Sequence, residues 1–267
     1  MFYTALRWKT STLTALQVAE QANTDYFIGI MSGTSMDAID AVLVGFNEQG
    51  HPQGLEAHSQ TFPPELRNQL IACIQPDWQG PLSELASLHV TLGELYAEAS
   101  NHLIKKSRIP PEAISAIGNH GQTIRHRPLL AQPFTLQIGC CQTLATLTNI
   151  RVVGQFRRKD MALGGQGAPL VPAFHQTIFR ETASDDKLTT GCDVFVVNIG
   201  GITNITFLPA SKSLSVIGYD TGTGNALLDD WFKLHHPQCK HNYDKNGDWA
   251  AKGTKLLGVK AVITFPI

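Results

Sequence analysis

Five polar, glycine-containing segments are the places in this chain where side chains could do chemistry. The first is M-S-G-T-S-M-D-A-I-D, residues 31–40. Gly33 lets the backbone turn tightly and approach a ligand, while free amides and the Thr34 and Ser35 hydroxyls can donate to phosphate oxygens. Asp37 and Asp40 could hold Mg²⁺, directly or through water, because that ion takes a few carboxylates plus substrate phosphates. The same residues would also satisfy an ordinary hairpin turn. The second segment, N-I-G-G-I-T-N-I-T at 198–206, repeats the arrangement of apolar strand, polar turn and apolar strand, with Gly200, Gly201 and Asn204 at the tip. Two such tips can face each other across a cleft. Neither completes a Walker A loop or the G-x-G-x-x-G of a dinucleotide fold.

The third segment, G-N-H-G-Q-T-I-R-H-R-P at 118–128, groups His120, Gln122 and Thr123 as donors and acceptors for sugar hydroxyls and a carboxylate. His120 and His126 lack an acidic or cysteine partner at metal-ligand spacing, which makes a hydrolytic metal site with Asp160 a poor reading. In the fourth, F-R-R-K-D followed by L-G-G-Q-G-A-P-L, the cations Arg157, Arg158 and Lys159 and the carboxylate of Asp160 precede a glycine-rich loop. This is either a solvated basic turn or an anion-binding edge. The fifth, Y-D-T-G-T-G-N at 219–225, sets Asp220 at a strand end above a glycine turn. A carboxylate held there suits a general base within reach of a substrate proton, and equally a helix cap.

The elements that must position these residues follow from periodicity. Apolar runs predict strands at 26–31 and 39–46, joined as a hairpin. Leu82, Leu85, Leu88, Leu92, Leu95, Ala99 and Leu103 recur every three or four residues and predict one long amphipathic helix, ended by Pro110 and Pro111. Short strands are expected at 114–118, 134–138 and 151–156, with a helix at 141–148. A second strand-rich region covers 194–199, 202–208 and 214–219, before a helix at 225–234. At 267 residues the alternation favours two α/β domains. We expect an extension at 1–25, a first domain at 26–145, an incomplete second at 146–254, and a divergent tail at 255–267.

With 21 basic against 22 acidic side chains, the chain has no field to track nucleic acid. Five cysteines without a C-x-x-C pair fit a reducing cytoplasm. No apolar run approaches the roughly 18 residues that cross a bilayer.

Taken in order, M-S-G-T-S-M-D, G-N-H-G-Q-T-I-R-H, F-R-R-K-D, G-G-Q-G-A-P-L-V-P-A-F-H, N-I-G-G-I-T-N-I-T and D-T-G-T-G-N-A-L-L-D-D-W resemble the motifs of the anhydro-N-acetylmuramic acid kinase family. The resemblance runs from about Tyr26 to about Gly253 and implies a two-domain actin-like (ribonuclease H-like) sugar kinase fold. It implies ATP and Mg²⁺ as cofactors, an anhydro-sugar substrate, a cytoplasmic setting, and room for a homodimer. By the same resemblance Gly33, Thr34, Ser35, Met36, Asp37, Ala38, Ile39 and Asp40 form the principal nucleotide loop, with Gly200, Gly201 and Asn204 opposite. His120, Gln122, Thr123, Arg158, Lys159 and Asp160 lie on the sugar side, and Asp220 matches the family's base. Ala38, Gln155 and Thr223 stand where the family usually has glycine, aspartate and proline. The segment 255–267 departs from the family, so a truncated second domain, and a remnant that binds without turnover, is the alternative expectation.

Overall fold

The computed structural model describes residues 24–33, 36, 38–48, 50, 52–181, 191–211, 213–241 and 243–253. The expected N-terminal extension up to residue 23, the tail, and Thr34, Ser35 and Asp37 lie outside the described residues. The chain divides into two compact units after Leu170.

In the first unit, strands β1 (Asp25–Ser32) and β2 (Ala38–Phe46) form the expected hairpin, pairing Ile28 with Leu43 and Ile30 with Ala41. Burial alternates along both, so Tyr26, Ile28, Ile30, Ile39, Ala41 and Leu43 fill one face. β3 (Pro52–Thr61) then adds to β2, and α1 (Pro64–Ile74) and α2 (Leu82–Ser107) follow. α2 buries Leu88, Leu92, Tyr96, Ala99 and Leu103 at the spacing of one helical face. The Tyr96 hydroxyl and Ser32 Oγ are hydrogen-bonded at 2.8 Å, joining helix to sheet inside the core.

β4 (Ile114–Asn119) pairs in parallel with β1, and β7 (Val152–Gly154) in parallel with β4. The sheet order is β3-β2-β1-β4-β7, three antiparallel strands followed by two parallel ones, within a mixed α/β unit. Between β4 and β7 come the hairpin β5 (Gln122–Arg127) and β6 (Phe134–Ile138), and α3 (Cys141–Thr148), which packs on α2. Because β7 belongs to this sheet and α3 to its helical layer, the unit extends past 145, where the sequence alone places the boundary. α4 (Phe156–Ala162) occupies what reads in sequence as a strand end and a basic turn. It buries none of its residues, so its apolar pattern carries no helical signal.

The second unit is a three-stranded antiparallel sheet, β10-β9-β8, made of β8 (Val194–Ile199), β9 (Ile202–Leu208) and β10 (Ile217–Thr223). β10 starts three residues later than its apolar run suggests and carries Asp220 within the strand. On one face α5 (Pro172–Gln176) is tied to β9 by His175 Nδ1 and Thr206 Oγ1 at 2.9 Å. The other face carries the cross-strand rows Phe195–Phe207–Ile217 and Val197–Ile205–Tyr219. Phe195, Val197, Ile217 and Tyr219 there are each more than half exposed. α6 (Ala226–His235) buries Phe232, whose ring lies 4.7 Å from that of His236 and 5.7 Å from that of Trp249.

The buried face of the first sheet and the open face of the second differ in what a substitution should do. Leu43→Ala removes a fully buried side chain and should cost about 2–5 kcal/mol. Val197→Arg, on the open face, should stay within about 0.5 kcal/mol. Urea denaturation of both variants checks this, and an equal loss for Val197→Arg would mean that the face is covered in solution.

Candidate active site

β1, β4 and β7 run parallel, so their carboxyl ends, Ser32, Asn119 and Gly154, lie at one end of the first sheet. In parallel sheets this is the end where ligands bind. The turn after β1 carries Gly33, whose carbonyl accepts from the Met36 amide at 3.1 Å. Met36 has a left-handed φ of 52° and a fully buried side chain, and its carbonyl accepts from Arg67 Nε at 2.9 Å. Met36 and the buried Ile39 therefore anchor the turn to the core; Ala38 is half-buried. Asp40 is exposed, across from Met31. One exposed carboxylate suits Mg²⁺, which binds through few protein ligands. Among the described residues no three His, Cys, Asp or Glu side chains come together as a metal site.

The turn after β4 is built on Asn119, which is 2% exposed. Its Nδ2 donates to Gly139 O at 3.1 Å and its Oδ1 accepts from the Gly121 amide at 2.9 Å. Gly121 has φ +74°, and a Cβ there would lie 2.7 Å from Ile138 O, so only glycine fits. His120 donates from Nδ1 to Gly121 O at 2.7 Å and accepts at Nε2 from Arg157 Nε at 2.9 Å. Gln122 is wholly buried, and its Oε1 has no hydrogen-bond partner. Along the β5–β6 hairpin, Gln137 Nε2 donates to Thr123 Oγ1 at 3.3 Å and to Thr135 Oγ1 at 2.7 Å, and His126 Nδ1 meets the same Thr135 oxygen at 3.1 Å. Arg158 Nε donates to Thr135 O at 3.3 Å. Arg125, in the same motif, instead donates to the carbonyl of Cys73 at 2.6 Å and to that of Gln75, closing the end of α1.

Beyond β7, Gln155 adopts a left-handed φ of 62°. That conformation admits aspartate or asparagine more readily than glutamine. Arg158 and Lys159 are exposed and, with Cys141, Gly154 and Gln155, line a hollow of about 450 Å³. Asp160 is half-buried and its Oδ2 accepts from the Gly167 amide at 2.7 Å.

In the second unit Asn198, Asn204 and Asp220 are direct neighbours across β8, β9 and β10. Direct cross-strand partners share a face, so the three polar side chains form one row. The ladder is interrupted between Asp220 and Gly222, and Asp220 is exposed. The Gly200 and Gly201 carbonyls accept from the Asn225 and Gly224 amides, both at 2.8 Å. The β8–β9 tip is thereby joined to the turn that starts α6. A Cβ at Gly224 would fall 2.2 Å from Gly200 O and 2.5 Å from Thr203 Oγ1.

The sequence reading counted Arg157 among the cations of the fourth segment without giving it a role of its own, and missed Gln137 and Asn198 as members of these clusters. Asn198 and Arg157 stood inside quoted motifs; Gln137 carried no signal, since only strand pairing brings it to Thr123.

Both units are mixed α/β or β structures with glycine turns and polar side chains at strand ends, the places where α/β proteins preferentially form small-ligand sites. The sequence family narrows this. The family model described as anhydro-N-acetylmuramic acid kinase matches residues 25–261. Curated proteins of that name are similar: one from Colwellia psychrerythraea is 54% identical over 230 residues, covering 85% of this chain and 56% of the relative. One from Shewanella oneidensis is 49% identical over 232 residues, covering 86% and 59%. The chain belongs to the anhydro-N-acetylmuramic acid kinase family, and it spans a little over half the length of these curated relatives. Among the described residues no helix is long and apolar enough to cross a membrane.

Two outcomes follow from the geometry. Gly224→Ala should cost about 1–3 kcal/mol in urea denaturation, because the clash is with backbone; a neutral effect would show that the two turns are not in contact. Burial holds the pKa values of His89, His120, His126 and His175 below the ordinary histidine value, with nearby arginines adding to the effect for the first three. The unfolded chain takes up these protons near pH ~6.5 and the folded chain only at lower pH. Stability is therefore full above that value and is lost as pH falls through the folded pKa values. Tm should drop between about pH 7.5 and about pH 5.5, and a flat profile would show that the rings charge without cost.

Proposed function

We propose that the protein is an ATP-dependent kinase that takes 1,6-anhydro-N-acetylmuramic acid and water to N-acetylmuramic acid 6-phosphate and ADP, in cytoplasmic recycling of murein sugar. The carrying observation is the family match over residues 25–261, with Asp220 set in a polar row beside the joined glycine turns of the second unit.

Asp220 is the general base in this reading. Water attacks the anomeric carbon and gives its proton to the carboxylate. The bond from that carbon to the bridging oxygen breaks, and the oxygen, left on C6, attacks the γ-phosphorus as ADP departs. An exposed carboxylate without an ion-pair partner among the described residues suits a base that must meet a bound water. Gly33, Thr34, Ser35, Met36, Asp37, Ala38, Ile39 and Asp40 are assigned to the nucleotide phosphates, as are Gly200, Gly201 and Asn204. Positioning and charge neutralisation supply most of the catalysis of phosphoryl transfer, and Asp37 with Asp40 would hold the Mg²⁺ that supplies the latter. Gln122, Thr123, Arg158 and Lys159 are assigned to the sugar and its carboxylate, with His120 and Asp160 shaping that wall. The exposed cations support this assignment.

The test uses the chain extended with the C-terminal residues of the Colwellia psychrerythraea relative. Supplied with anhydro-sugar and MgATP, it should form ADP and sugar phosphate in equal amounts. Asp220→Asn keeps the size of the side chain but cannot take the proton, and should lower kcat by about 10²–10⁴ with sugar binding nearly unchanged. Turnover within a few-fold of the parent would remove Asp220 from the role.

A further inference from the structure

α4 presents Arg157 and Asp160 three residues apart, on one side of the helix. Both grip the same residue of the following loop, one at its carbonyl and one at its amide. Arg157 Nη1 donates to Gly167 O at 2.9 Å, and the Gly167 amide donates to Asp160 Oδ2 at 2.7 Å. The Gly165 amide adds a bond of 2.9 Å to Asp160 O. The glycines are required by this closeness. A Cβ on Gly165 would fall 2.2 Å from Asp160 Oδ2, and one on Gly167, at φ +75°, would meet Met161 Cγ at 3.1 Å and Arg157 O at 3.2 Å.

The same guanidinium donates through Nε to His120 Nε2 at 2.9 Å. A ring nitrogen that accepts carries no proton, so His120 is the neutral tautomer with its hydrogen on Nδ1, and that hydrogen goes to Gly121 O at 2.7 Å. Both nitrogens of His120 are thus committed inside the protein. The ring serves as an oriented acceptor, and the residue it orients lies 37 positions further along the chain.

We propose that Arg157 is a positioning residue: by binding His120 and Gly167 at once, it latches the 164–167 loop to the β4–β5 turn and fixes the helix from which Arg158 and Lys159 project. That the latched parts border the sugar rests on the kinase reading; the latch itself does not. The guanidinium matters for its fork. Lysine would bring a charge and a flexible stem but could not hold a ring nitrogen and a carbonyl in a fixed plane.

The test is ¹⁵N NMR of the imidazole and amide exchange on the 267-residue chain, with Arg157→Gln, Arg157→Lys and Asp160→Asn. The parent should show the Nδ1–H tautomer at His120. Arg157→Gln and Arg157→Lys should both give a tautomer mixture, an upward shift of the His120 titration as the neighbouring cation is lost or displaced, and Gly167 exchange faster by about tenfold, the size of one hydrogen bond. Asp160→Asn, which touches neither Arg157 bond, should leave the His120 ring unchanged and serves as the control; should Arg157→Gln not fold, Arg157→Lys decides. An unchanged tautomer and unchanged Gly167 exchange in the Arg157 variant would overturn the latch. In the extended chain, Arg157→Gln should raise KM for the anhydro-sugar at least tenfold more than KM for ATP. If the extended parent shows no turnover while the NMR signatures follow the substitutions, the latch stands and the kinase reading falls.

Discussion

Asn119 sits buried at the carboxyl end of β4, where the chain must leave a parallel sheet and still satisfy its backbone. Its single amide does this for two turns at once, donating to Gly139 O and accepting from the Gly121 amide. A buried backbone group without a partner costs about 1–3 kcal/mol, so this side chain stabilises both the β4–β5 turn and the turn between β6 and α3. His120 and Gln122 flank the first turn and Cys141 follows the second. The candidate site of the first unit is thus built outward from one buried amide: His120 and Arg157 tie α4 to the first turn, and Arg158, on that helix, also donates to Thr135 O on β6.

The second unit solves a similar problem by close approach. Gly200 and Gly201 offer their carbonyls to the Asn225 and Gly224 amides, and Gly224 lies so near Gly200 that no side chain can stand there. Two turns that are separate in sequence become one structure, with Asp220, Asn204 and Asn198 in a row on the adjoining strands. A carboxylate at such a position is held by strand pairing and stays open to solvent, as the proposed role of Asp220 requires.

The units also differ in how they bury apolar surface. The first sheet packs one face under α2 and α3, and its core is filled by Ile28, Leu43, Leu92, Tyr96, Leu103 and Ile117, all 1% exposed or less. The second leaves the rows through Phe207 and Ile205 open to solvent on one face. Exposed apolar patches of that kind belong to surfaces that associate with something else, and the relatives carry a further two-fifths or so of their length beyond the matched region.

Much of this was legible in the amino-acid sequence. Alternating apolar residues predicted β1, β2, β8 and β9, and three-four spacing predicted α2, because those elements bury one face each and burial writes its period into the chain. The ordered motifs were enough to indicate the family. What has no period was not legible: β3 is a half-exposed edge strand, and α4 buries none of its residues. Strand pairing alone placed β7 in the first sheet and Asp220 inside β10. The pairing of Arg157 with His120, the commitment of Asp160 to Gly167, and the core positions of Met36 and Ile39 were likewise decided by tertiary structure. A hydrogen bond across 37 residues depends on where two turns meet in space, and composition and spacing along one chain carry no record of that distance.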